Sequence, residues 1–317
     1  MDRYSFSNLM FKGSDFNTIS EFPASDYGKL ALVTNSKGEK YRKKMIELKF
    51  GKEKYKQEFQ RAINILIRMN HPGINRILFY TLPNSNNVQN DLYPISIFSD
   101  YEPNGSLADL VRSISSGKQV EKWDSTHKMI TIFGIAASLM YIHGCRLIYR
   151  NLKSSNVLLD SEYEPKLADF NFTRPPSSQF LNMDSLTLDS TLISVPLDEE
   201  TEKTPIYTAP EILGNLPCNN KVDVYSYGIL LYELFVNKEP DFGMDDQEAI
   251  KASIIIGDRP PIPTDLVPPA YQQLITECWD NESSNRPSFK SIVRRLALAE
   301  YFLPDVDFDK YINYTKK

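Results

Sequence analysis

Residues 222–236 (VDVYSYGILLYELFV) are apolar nearly all round a helical wheel. A helix with no polar face cannot lie on a surface, so it must be wrapped by other elements inside a large domain. The second part of the chain supplies the wrapping. Residues 126–143 read as an amphipathic to buried helix, 268–279 and 288–299 as two more, and Pro287 precedes the last as a start signal. The first hundred residues differ in kind. Short apolar runs at 29–33, 41–48, 76–82 and 94–99, set apart by polar turns, read as strands, with a turn-rich loop at 83–91. One helix interrupts them at 53–69, where Phe59, Ala62, Ile63 and Leu66 fall on one face. The expected class is α+β: a small antiparallel β-sheet lobe with one helix, then a larger, mainly helical lobe.

The chain has 317 residues and a net charge of −5. An acidic balance argues against nucleic-acid binding carried by bulk charge. Cys145, Cys218 and Cys278 are odd in number and widely spaced, which suits idle thiols in a reducing cytosol better than a disulfide framework. His71, His127 and His143 show no metal-ligand spacing. The first ten residues lack the apolar core of a signal peptide, and the longest apolar-rich run, 129–142, is too short to span a bilayer. A cytoplasmic location with no membrane span is expected. Residues 175–202 are rich in Ser, Thr and acidic residues and read as a mobile surface loop, while the tail from Asp305 carries no clear signal.

Several short motifs follow one another along the chain. Residues 147–160 read LIYRNLKSSNVLLD, 100–107 DYEPNGSL, 168–171 ADFN, 204–211 TPIYTAPE, 223–228 DVYSYG, 257–260 GDRP and 286–289 RPSF, with Cys278–Trp279 between the last two. In this order they resemble the motifs of the protein kinase superfamily, and the late ones are similar to its tyrosine-kinase-like group. The resemblance runs from Ile19 to Leu296. It implies a bilobal fold with an extension at 1–18, a small lobe at 19–99, a large lobe at 100–299 holding an activation segment at 169–211, and a tail at 300–317.

The resemblance also implies roles. Phosphoryl transfer depends on positioning and charge neutralisation. Asn156 and Asp169 match the two oxygen ligands for Mg²⁺, and Lys153 matches the lysine that steers the transferred phosphate. Glu211 and Arg286 match a buried ion pair, and Asp223 a carboxylate that accepts backbone N–H groups of the catalytic loop. Gly28, Leu30, Arg42, Lys44, Asp100 and Leu158 match nucleotide-binding positions. Lys44 is preferred over Lys43 as the phosphate lysine. Arg150 matches the arginine that receives a phosphorylated activation segment, whose candidate acceptors include Ser177, Ser178, Ser185, Thr187, Ser190, Thr191 and Ser194.

The departures from the pattern are as telling as the matches. Asn151 stands where the family has the aspartate that takes the proton of the substrate hydroxyl, and an amide is a very poor base. Ala62 stands where the family has the glutamate that holds the lysine; a slid helix offering Glu58 is the alternative. Pro23 and Ser25 replace two glycines of the phosphate loop, leaving Gly28, and Pro23 has no N–H to donate. Arg42 replaces the small residue that packs on adenine, and either fills that slot or swings out to stack on a base. Asn171 replaces the glycine after Phe170. The expectation is therefore a pseudokinase, an interaction or allosteric module for other proteins with weak or no binding of ATP and Mg²⁺. The alternatives are a slow Ser/Thr kinase or another nucleotide-dependent transfer.

Overall fold

A computed structural model describes residues 16–22, 29–49, 63, 66–81, 92–170 and 205–317. They divide into two compact units, one from the residues up to Asn70 with Ile74–Pro103, the other from His71–Gly73 with Asn104–Lys317.

The first unit is an antiparallel sheet of five strands in the order β1-β2-β3-β5-β4: Asn17–Glu21, Lys29–Thr34, Lys40–Lys49, Ile77–Thr81 and Leu92–Asp100 as β1 to β5. The β2–β3 turn is written into its residues. Asn35 Oδ1 accepts from the N–H groups of Lys37 and Glu39, both at 3.0 Å, and Gly38 takes φ 81°, which favours glycine. Alternation then sorts the side chains of β3. Ala31, Val33, Phe79 and Phe98 form a buried cluster, with Phe16 and Tyr41 against it. The Phe79 and Phe98 rings stack at 4.4 Å, and Lys43 Nζ lies 5.7 Å from the Phe98 ring centre. Strand β1, which anchors Phe16, falls outside the strands expected from the sequence. Of the expected helix at 53–69, Ile63, Leu66 and Met69 are buried, and residues 50–62 lie outside the described residues, as does the loop at 175–202.

The second unit is helical, with eight helices among the described residues. They are α1 Leu107–Ser115, α2 Ser125–Gly144, α3 Pro210–Leu213, α4 Lys221–Val236, α5 Gln247–Ile256, α6 Pro269–Cys278, α7 Phe289–Arg295 and α8 Phe308–Thr315. A two-stranded ribbon joins them, β6 Val157–Leu159 and β7 Pro165–Leu167. Helix α4 contains the apolar stretch 222–236, and every side chain from Val222 to Phe235 is buried. Its Gly228 is required by packing: a Cβ there would lie 2.8 Å from Cys278 Cβ and 3.2 Å from the Trp279 nitrogen, so α4 and α6 touch nearly backbone to backbone.

The tail corrects the sequence reading. It gave no signal there, yet α8 is capped by Asp307 and packs on α2. Its Tyr314 ring fills the space that a Cβ on Gly134 would need. Tyr311 meets Phe133 edge-on at 5.9 Å, and Lys317 pairs with Glu164 at 2.5 Å. Sparse but correctly spaced aromatics on a short polar helix carry the docking.

Candidate functional site

In the sheet unit, register separates the candidate residues by face. Leu30, Lys44 and Ile97 lie in one cross-strand row, and Leu32, Arg42 and Ser99 in the next row on the same face. Lys43 shares the other face with Ala31 and Phe98. Lys44 is buried while Arg42 is half-buried. Asp100 closes β5: its N–H donates to the Arg76 carbonyl, and its own carbonyl accepts from Asn75 Nδ2 at 3.0 Å. Asn75 also donates to Glu102 at 2.9 Å. This buried amide, which the sequence reading passed over, fixes the strand exit. Gly28 and Ala62, with Pro23, Ser25, Glu58 and Asn171, lie outside the described residues.

In the helical unit the motif residues converge. Asp223, fully buried near the start of α4, takes three donors: His143 Nε2 at 2.8 Å, the Tyr149 N–H at 2.9 Å and the Arg150 N–H at 2.6 Å. Arg150 sits at φ 64°, a backbone state that costs a non-glycine residue energy and that these bonds hold in place. Arg286 is buried and makes a bidentate pair with Glu211, at 2.7 and 2.8 Å. Its Nε donates to the Asp280 carbonyl at 2.8 Å, and its guanidinium lies 5.4 Å from the Tyr225 ring.

Between these anchors lies the segment where chemistry is expected. Asn151 is buried, and its Nδ2 donates to the Asp169 backbone carbonyl at 2.9 Å. Asn156 Nδ2 donates to the Asn151 carbonyl at 2.8 Å, which assigns the amide orientation and leaves Oδ1 as an acceptor. Asp169 sits at φ 64°. Tyr149 donates its hydroxyl to the Ala168 carbonyl and meets Phe170 edge-on at 5.3 Å. Ser106 caps α1 through a capping box with Asp109 and bridges to Leu158, so the N-terminus of α1 holds β6 in place. Lys153 is half-buried, and its charge opposes the burial that raises the pKa of Glu239.

The profile of the protein kinase domain matches residues 24–296. The chain belongs to the protein kinase family. A probable serine/threonine-protein kinase of Dictyostelium discoideum is 32% identical over 295 residues, covering 92% of this chain and 20% of that protein. In Arabidopsis thaliana, the probable serine/threonine-protein kinase SIS8 is 31% identical over 76% of this chain and 21% of its own length. The serine/threonine-protein kinase CTR1 is 31% identical over 74% of the chain and 26% of its own length. The chain thus spans about a fifth to a quarter of the length of these relatives.

One feature of this kinase-family chain escaped the motif reading. Glu233, a carboxylate inside the apolar α4, is buried between two hydroxyls: Ser154 Oγ donates to it at 2.8 Å, and Tyr207 donates to its other oxygen. Burial pushes the Glu233 carboxyl up to about 7 and the Tyr207 hydroxyl well above its usual range. The acidic letter within VDVYSYGILLYELFV was the available signal. The thiols are free: Cys145 is exposed, and burial raises Cys218 to about 11 and Cys278 further, so neither buried thiol is a nucleophile at neutral pH. No helix among the described residues is long and apolar enough to cross a membrane.

Proposed function

We propose that this protein kinase domain is a pseudokinase of the tyrosine-kinase-like group, working as a signalling interaction or allosteric module for other proteins. One observation carries the reading. Asn151 stands at the position of the proton acceptor, and its amide is used as a donor to the Asp169 carbonyl. A carboxylate has no proton with which to make that bond, and an amide has no useful basicity. The contact therefore suits a loop held in one shape better than a loop that accepts a proton. Loss of a general base typically lowers a rate by about 10²–10⁴-fold. The lost glutamate at Ala62 and the altered glycine positions act on nucleotide placement as well.

The remaining residues suit a partial nucleotide site. Asn156, through the Oδ1 that its own hydrogen bond leaves open, and Asp169 are the oxygen donors that would hold Mg²⁺, alongside phosphate oxygens and water. Bound there, the cation would supply charge neutralisation to the phosphates. Lys44, on the face of Leu30, Arg42 and Ile97, is the residue assigned to the phosphates of ATP, with Gly28, Leu30, Asp100 and Leu158 assigned to the rest of the nucleotide. This oxygen pair favours a second reading, a slow Ser/Thr kinase.

Purified protein incubated with labelled ATP and Mg²⁺, alone and with generic protein substrates, should incorporate no phosphate above an Asp169→Ala control. Incorporation that the Asp169→Ala change abolishes would replace the pseudokinase reading with the slow-kinase one. A thermal titration with ATP, with and without Mg²⁺, tests the cofactors separately, because a ligand of the native state alone raises the melting temperature. A metal-dependent rise would mark a nucleotide-binding pseudokinase; its absence would mark a module that works without nucleotide.

A further inference from the structure

The helical unit holds a cavity of about 400 Å³ where α1, α2, α4 and the approach to α6 meet, lined by none of the residues assigned a role above. We propose that this cavity is a binding site for a small amphipathic anion, an aromatic carboxylate in chemical class. The proposal does not depend on the pseudokinase reading.

Size is the first argument. Sites for small molecules typically enclose about 300–1,000 Å³ and are lined by apolar groups with a few polar ones. Here Ile114, Trp123, Phe235, Leu266 and Leu303 supply apolar wall on one side of an open, half-polar hollow, and Asp124, Ser125, Lys128 and Asn237 supply the polar remainder. The volume suits a molecule of one or two rings rather than a helix or an extended peptide.

Charge is the second. Lys128, on α2, brings the cavity an ammonium, with Nζ 5.2 Å from the centre of the Phe235 ring. Among the described residues it makes no ion pair, and burial lowers its pKa. The carboxylate in the lining, Asp124, is committed elsewhere: Oδ1 caps α2 by accepting the His127 N–H at 2.9 Å and faces His127 Nδ1 at 2.7 Å. Partial desolvation of the Lys128 ammonium is costly, and the Phe235 ring offsets only part of that cost. An anion delivered by a ligand would offset that cost, while the ligand's ring would displace water from the apolar walls. A neutral aromatic gains only the second effect, and an aromatic cation is repelled.

Calorimetric titration of the whole chain with 2-naphthoate and with the neutral 2-naphthylmethanol tests this. Naphthoate should bind, and at least tenfold more tightly than the alcohol. Lys128→Met, which keeps the bulk and removes the charge, should erase the difference by weakening naphthoate alone. Leu266 is half exposed, so Leu266→Glu is tolerated by the fold and sets a competing carboxylate in the cavity wall; it should weaken naphthoate by at least tenfold. Equal affinity for the two ligands, naphthoate binding that survives both substitutions, or no binding at millimolar ligand would each overturn the proposal.

Discussion

Two buried polar clusters of the helical unit are built on opposite principles. Around Asp223 and Arg286 each charge meets its complement, three donors on one carboxylate and a forked guanidinium on Glu211. Around Asn151 neutral groups take over: an amide holds the Asp169 carbonyl, a second amide holds the Asn151 carbonyl, and a phenol holds the Ala168 carbonyl. Both clusters are well satisfied, but in the second the carbonyls are held by neutral donors although Asp169 and Lys153 remain beside them. The frame that holds a catalytic loop is thus separable from the chemistry the loop performs. On the pseudokinase reading, the loop keeps its shape through bonds that leave no proton acceptor at Asn151.

The comparison can be broken by substitution, and the largest effect belongs to the charged cluster. Arg286→Ala leaves Glu211 without its partner in a largely buried site, and removing one partner of a buried pair typically costs about 3–5 kcal/mol. Denaturant unfolding should show that loss, and a change below about 1 kcal/mol would mean that Glu211 finds water. Glu233 comes next, with a sign that depends on pH. Its folded pKa, about 7, lies above the ordinary value of 4.5. Protonation is therefore favoured by folding, and the stabilisation is complete below about pH 4.5 and lost as pH rises to about 7. Glu233→Gln should remove this slope, on the order of 3 kcal/mol across the window, and should gain on the wild type as pH rises. Parallel stability–pH curves would show that Glu233 stays ionised.

Asn151→Asp probes the neutral cluster directly. It turns a donor into an acceptor facing the Asp169 carbonyl, and a lost buried bond of this kind costs about 1–3 kcal/mol. The melting temperature should fall, and on the pseudokinase reading the substitution should not by itself bring phosphate transfer, because Ala62 and the altered glycine positions are unchanged. A variant as stable as the wild type would show that the Asn151 contact is dispensable. The smallest effect is expected at the tail. Lys317 is half exposed, so Lys317→Ala should change stability by less than about 1 kcal/mol. A larger loss would tie α8 to the catalytic loop's frame more tightly than its contacts suggest.

The sequence made the frame legible because its signals are local. The apolar α4, the order of the motifs, and the Asp223 and Arg286 positions can all be read from neighbouring letters. What stayed hidden depended on partners distant in sequence or lacking a side-chain signature. The acceptor of the Asn151 amide is a backbone carbonyl, which any residue provides. Strands β1, β6 and β7 are too short to show a period, and α8 is polar enough to pass for a loose end until Tyr311 and Tyr314 find α2. Alternation on β3 puts Lys44 and Arg42 on one face and Lys43 on the other, but only the cluster around Phe98 shows which face is which.

Helix α4 grips the catalytic loop twice, through Asp223 near its first turn and through Glu233 near its last. The loop is in effect splinted to a rod whose side chains from Val222 to Phe235 are all buried. In native-state hydrogen exchange, the amides of Tyr149 and Arg150 should therefore trade their protons as slowly as the middle of α4, on the timescale of global opening rather than that of a surface loop.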